Sequence, residues 1–186
     1  MKKSSIIAIV MISALVVIFV ALGIYKFKFT NSKSLFALND KIEFKNATYI
    51  IEGQALTLRN GNFESEIATD SASKIVTRYF GNEAFGDLNG DGQADVAFLL
   101  TQNGGGSGTF YYVAVALAGA KGYAGLNAIF LGDRIAPQTT EIRDGQIIVN
   151  FAVQKNDEPL TAIPSLAVSK YFQVVDNQLV SVEPIK

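Results

Sequence analysis

Oxygen-bearing side chains recur at every second position in one short stretch of the chain, at Asp87, Asn89 and Asp91, and then at Gln93 and Asp95. Gly90 and Gly92 stand between them. That spacing suits a hard cation, because calcium takes ~6–8 oxygen ligands at ~2.3–2.6 Å and a tight loop can supply most of them. Asp87, Asn89 and Asp91 offer side-chain oxygens. Gly92 allows the bend that turns the backbone carbonyl of Gln93 towards the same centre, and Asp95 closes the ring. Three carboxylates crowded into one turn repel one another without a cation. The competing reading is an Asp/Asn/Gly-rich turn without metal, a common use of these residue types. The work expected of the ion is to brace a loop rather than to catalyse.

An EF-hand begins in the same way but needs Glu at its twelfth position. Here that position is Phe98, inside an apolar run. The ten residues from Gly86 to Asp95 instead resemble the shorter calcium loop of FG-GAP and related β-repeat proteins. In those loops an aspartate at the ninth position completes the site and a strand follows. Val96 to Leu100 fits that strand, and the loop occurs once rather than in an array.

Other spellings carry less chemistry. Ser71-Ala72-Ser73-Lys74 has the Ser-x-x-Lys spacing of penicillin-binding enzymes, in which Lys can activate Ser, but the companion motifs are absent. The Gly-rich run from Asn103 to Thr109 lacks the Lys of a phosphate loop and lies between strand-like segments, so it reads as a hairpin loop. Asp133-Arg134 reads as a surface ion pair or an exposed recognition point. Asn46-Ala47-Thr48 is a glycosylation triplet in spelling only.

Composition closes several routes. The 186 residues include no Cys and no His, which removes disulfides, thiolate nucleophiles and the usual zinc or iron ligand sets. It also removes the side chain most used for proton transfer near neutrality. Lys2, Lys3, Lys26 and Lys28 account for four of the 16 basic residues, leaving 12 against 17 acidic ones in the remainder, a charge near −5. Nucleic acid is therefore not an expected partner.

The elements that must hold the loop are strands. Turn signals recur at Asn60-Gly61, Asn89-Gly90, Asp91-Gly92, Asn103-Gly104 and Asp144-Gly145. Gln146 to Gln154 alternates, with Ile147, Val149, Phe151 and Val153 on one face. Phe110 to Leu117 is apolar on both faces, as a central strand would be. Ala94–Leu100, Leu126–Leu131, Tyr171–Val175 and Gln178–Val182 read as strands, the last two joined by a turn at Asp176-Asn177. Ser71 to Phe80 has both helical and strand character, and its β-branched and aromatic residues favour strand. No internal repeat is present. The pattern predicts a mainly β chain with one antiparallel β domain, sandwich or barrel-like, with room for one short helix.

Ahead of it, residues 6–25 form an uncharged apolar run. As a helix rising ~1.5 Å per residue it spans ~30 Å, the thickness of a bilayer's hydrocarbon core. The expected organisation is a signal-anchor or transmembrane segment over residues 1–28, a linker over 29–40 and an extracytoplasmic β-rich domain over 41–186. The run is longer than the usual ~7–15 residue core of a signal peptide, although cleavage and secretion remain the rival outcome. Lysines flank both ends, so charge alone does not fix orientation. The calcium loop favours a cytoplasmic N-terminus and a domain outside the cell membrane, where calcium is abundant.

Taken together, Asn46 to Gly53, Gly105 to Tyr112 and Phe130 to Arg134 resemble a group of small, uncharacterised bacterial envelope proteins. Those proteins carry an Asp-x-Asn-x-Asp-Gly loop before a strand, and the likeness covers roughly residues 46–182. It implies a bacterial envelope location and nominates no catalytic residue. Two functions follow as expectations: a calcium-braced, non-enzymatic module that binds an envelope glycan or protein, or an extracytoplasmic hydrolase using carboxylates or Ser/Lys.

Overall fold

A computed structural model of the chain describes residues 43–66, 74–159 and 161–185. The chain divides into two units, Met1–Lys41 and Ile42–Lys186, and the second is the one described. The apolar run at 6–25, the linker and Ser71 lie outside the described residues, among which no helix is long and apolar enough to cross a membrane.

The described unit is mainly β. Its one helical element among the described residues is a 3-10 turn, Phe44–Asn46, and Lys74 to Phe80, part of the segment whose spacing also had helical character, is strand. Twelve strands follow: β1 Thr48–Ile51, β2 Gln54–Thr57, β3 Asn62–Glu66, β4 Lys74–Gly86, β5 Asp95–Asn103, β6 Phe110–Gly119, β7 Gly122–Gly125, β8 Ile129–Asp133, β9 Ala136–Arg143, β10 Gln146–Val153, β11 Leu166–Val175 and β12 Gln178–Val182. They form three sheets. β1 and β2 make a hairpin, β9 to β12 a four-stranded sheet in the order β12-β11-β10-β9, and the rest a six-stranded sheet in the order β3-β4-β5-β6-β7, with β8 also on β6. Every ladder is antiparallel.

The six-stranded sheet is buried on both sides because its middle strands are apolar at successive positions. One face of β5 and β6 presents Leu99, Val113 and Val115 to Ile147, Val149 and Phe151 of β10, with Phe172 and Leu179 completing that core. The opposite face presents Phe98, Leu100 and Ala114 to Tyr49, Ile51 and Leu56 of the hairpin. Full burial of side chains such as Phe98, Phe151 and Phe172 stabilises by roughly 1.5–3 kcal/mol each.

Tight turns set the register. Asp144-Gly145 (φ 51° and 72°) and Asp176-Asn177 (φ 49° and 58°) have both central residues left-handed, matching the twist of the strands they join. Glu52-Gly53 does the same (φ 51° and 81°), with Glu in a position usually given to Asn or Asp.

The structure corrects the single strand expected over Leu126–Leu131. The chain leaves β6 after Leu126, whose N–H donates to the Val115 carbonyl at 2.9 Å, and rejoins it at Ile129. Between them Asn127 forms a parallel bridge with Ile50 of β1. Gly125 is needed at that crossing, since a Cβ there would run into the Thr48 carbonyl and lie 2.7 Å from the Tyr49 ring. The strand expected over Ser71–Phe80 begins at Lys74 in the described residues and runs on to Gly86, through register shifts between Tyr79 and Gly81 and between Gly81 and Ala84.

Candidate functional site

The segment between β4 and β5 carries four of the five residues singled out for metal, and the fifth, Asp95, opens β5. Gly90 and Gly92 take positive φ (81° and 78°), which lets the chain coil tightly there. The coil is held by side chains folded back on backbone N–H groups. The two carboxylate oxygens of Asp87 accept from Gly90 (2.7 Å) and Gly92 (2.9 Å). Asn89 Oδ1 accepts from Asp91 N–H at 3.0 Å, and Asp91 Oδ1 from Gln93 N–H at 2.8 Å. Asn89 Nδ2 and Gln93 Nε2 both donate to Asp91 Oδ2, each at 3.1 Å. These bonds, led by the Gln93 N–H, hold the Asp91 carboxyl below the usual carboxylate range.

Asp95 is placed differently. It is fully buried, and its two oxygens accept from Leu88 N–H (2.9 Å) and from Ala118 N–H of β6 (2.8 Å). It thus rivets the entry of the loop to the central sheet. Asp87, Asn89, Asp91 and Gln93 lie together at the exposed surface, and Asp95 lies beneath them. Among the described residues no group of three or more acidic side chains is set to share one ion.

The donor set nevertheless fits a hard cation in kind. Every contributed atom is a carboxylate or amide oxygen, the ligand chemistry calcium prefers. Each oxygen of Asp87 accepts one N–H and keeps a second lone pair. Asp87, Asn89 and Asp91 would hold such an ion, with the Gln93 carbonyl, and Asp95 would anchor them to the sheet. The residue that sequence reasoning missed is Ala118, because the signal for a backbone N–H contributed by a distant strand is not local.

The other sequence-level candidates have structural work. Asp133 accepts from Thr109 N–H at 2.9 Å and takes two bonds from Arg134, at 3.0 and 2.6 Å. Arg134 N–H reaches the Thr109 carbonyl, so the pair clamps the end of the Gly-rich loop. Lys74 lies 3.6 Å from Glu64. Asn46 accepts from Asn60 N–H at 2.7 Å through its side chain, which fixes the chain ahead of β3.

Two of the open clefts on the described surface lie between separate strands. One, of about 460 Å³, lies between Phe130 of β8 and the Lys170, Tyr171 and Glu183 region of the four-stranded sheet. The other, of about 370 Å³, lies between the tip of the β1–β2 hairpin and strands β3 to β5, and Glu52 and Glu66 are its charged lining residues. Tyr112 donates to Glu52 at 2.8 Å.

Comparison with known protein families, characterised proteins and solved structures found no match to this chain.

Proposed function

We propose that this chain is a non-enzymatic binding module of the bacterial envelope, held to the membrane through residues 6–25 with its β domain outside, and that its surface loop takes calcium. In this reading the packed sheets form a sandwich-like body that presents the loop. The partner is an envelope glycan or protein.

The observation that carries the metal assignment is the pairing of the Asp87, Asn89 and Asp91 oxygens with backbone N–H groups inside the loop. That pairing shapes the loop around hard oxygen donors at the surface, while Asp95 ties it to the sheet from below. Calcium abundance outside the cytoplasm is enough to fill a site of ~10⁻⁴–10⁻³ M.

The test is thermal unfolding of the full chain in mild detergent, with calcium and with chelator. Calcium should raise the melting temperature, and Asp91→Ala should remove that rise. No rise, or a rise that survives Asp91→Ala, overturns the metal assignment. Protease added to intact cells should cut the β domain. A domain that stays shielded overturns the orientation.

A further inference from the structure

The backbone of β2 and β3 holds a half-open ladder. Arg59 and Asn62 form an antiparallel bridge, each N–H donating to the other's carbonyl at 2.8 and 3.1 Å. Continued outwards, that register would pair Thr57 with Glu64 and Ala55 with Glu66. Among the described residues it does not continue, since there β2 pairs only with β1 and β3 only with β4.

Alternation in an antiparallel pair decides which way the unpaired groups point. Leu58 N–H donates to Ala47 in line with the β1–β2 register, so Leu56 and Gln54 also face β1, and Ala55 and Thr57 face away from it. Tyr79 N–H donates to Gly61 in line with the β3–β4 register, so Phe63 and Ser65 face β4, and Glu64 and Glu66 face outwards. The two edges therefore turn N–H and C=O groups that no described strand pairs towards the same opening, the Glu66 carbonyl taking a 3.3 Å bond from the Ser65 hydroxyl. The 370 Å³ cleft lies there, lined by Ala55 and Leu56 on one side and by Phe63, Ser65 and Glu66 on the other.

We propose that this slot receives an extended strand of a partner protein that carries Lys or Arg at alternate positions and apolar residues between them. Main-chain bonds to an open edge supply affinity in such strand addition, and alternate side chains supply selectivity. Side chains across from Glu64 and Glu66 meet two carboxylates that share one exposed cation, Lys74, 3.6 Å from Glu64, and the net negative charge left over favours basic residues there. Those on the other face meet Phe63, Leu56 and Ile75, which favours apolar ones. Glu52 adds a third carboxylate at the hairpin tip. A second copy of this chain is a poor occupant, because pairing two β3 edges sets Glu64 and Glu66 against their own kind. The inference rests on the binding-module reading and is independent of calcium.

The test titrates the full chain in non-ionic detergent with a fluorescein-labelled acetyl-(Lys-Val)₃-amide peptide. Its (Glu-Val)₃ counterpart and a form N-methylated at alternate amides serve as comparisons. Anisotropy and amide hydrogen exchange are the readouts. The basic peptide should bind and slow exchange at Thr57 and Glu64, with affinity unchanged by chelator. Glu64→Gln with Glu66→Gln should weaken it about tenfold, as expected for two exposed charge pairs, and raised salt should do the same. Glu64→Pro should abolish binding while leaving the β3–β4 ladder intact, because that N–H faces outwards. Equal binding of the acidic or N-methylated peptide, or no binding to a chain that still captures envelope material, overturns this partner class. The second of these leaves the module reading standing. Concentration-dependent dimerisation through β3 also overturns it.

Discussion

The side-chain amide of Asn127 pairs with the backbone of Leu179 as another strand would: Asn127 Nδ2 donates to the Leu179 carbonyl at 2.9 Å, and Leu179 N–H donates to Asn127 Oδ1 at 2.8 Å. The backbone on either side of it bridges Ile50, whose N–H donates to the Leu126 carbonyl at 3.2 Å and whose carbonyl accepts from Ala128 N–H at 2.8 Å. One asparagine thus joins the hairpin, the six-stranded sheet and the free edge of β12. Asn127→Ala leaves a partly buried N–H and C=O without their partner and should cost about 2 kcal/mol in urea unfolding. It also bares the β12 edge, so light scattering at high concentration should show increased self-association.

Asp95 and Asp91 should separate structure from metal. Asp95→Asn turns a donor towards one of two backbone N–H groups that now share a buried carboxylate. It should cost about 2–3 kcal/mol even in chelator. Asp91→Ala in chelator should leave the urea midpoint close to that of the unaltered chain, because the side chain is exposed.

Acid should leave the Asp91 contribution in place longer than an ordinary carboxylate would allow. Its folded pKa is lowered, so the stability it contributes is present above the unfolded value and is lost as pH falls through the lower folded value. If calcium binds there, the calcium-dependent rise in melting temperature should persist through the ordinary carboxylate range. Calorimetric scans at stepwise lower pH check this, and loss of the rise at the ordinary aspartate pKa counts against it.

Alkali should show the reverse sign. Burial pushes the phenols of Tyr49, Tyr79, Tyr111 and Tyr112 up, and acceptor carboxylates add to the effect at Tyr79 (Glu83) and Tyr112 (Glu52). The associated stability is present below the unfolded tyrosine value and is lost as pH rises through the folded ones. Ultraviolet titration should show these four phenols ionising above the ordinary tyrosine range.

Gly125→Ala should be strongly destabilising, by about 1–3 kcal/mol, since the added methyl meets the Thr48 carbonyl and the Tyr49 ring. Gly104→Ala meets nothing and should stay within about 0.5 kcal/mol. Urea midpoints compare the two.

Local patterns carried much of this architecture. The alternation of Ile147, Val149 and Phe151 named the core face of β10, and the double-sided apolar run of β6 named the centre of the sheet. Asp144-Gly145 and Asp176-Asn177 marked their hairpins because few residues accept left-handed backbone. Where partners are distant, the signal failed. β9 contains Pro137 and a polar stretch from Gln138 to Glu141, so neither composition nor period marked it as a strand. The break at Asn127 is dictated by β1 and β12, not by its neighbours. Within the loop, the oxygen spacing was legible, whereas the burial of Asp95 depends on Ala118.

β5 and β6 serve as the floor for both apolar layers, one built from the first strands of the domain and one from the last. During synthesis β1 and β2 emerge well before the ribbon they must cover, and the ribbon emerges before β10 to β12. Neither apolar layer is complete without that floor, so removing β1–β2 or β10–β12 should yield an aggregating fragment rather than a smaller domain. Because these contacts are remote in sequence, the chain should fold slowly, with its greasy central ribbon exposed to chaperones until the last strands arrive.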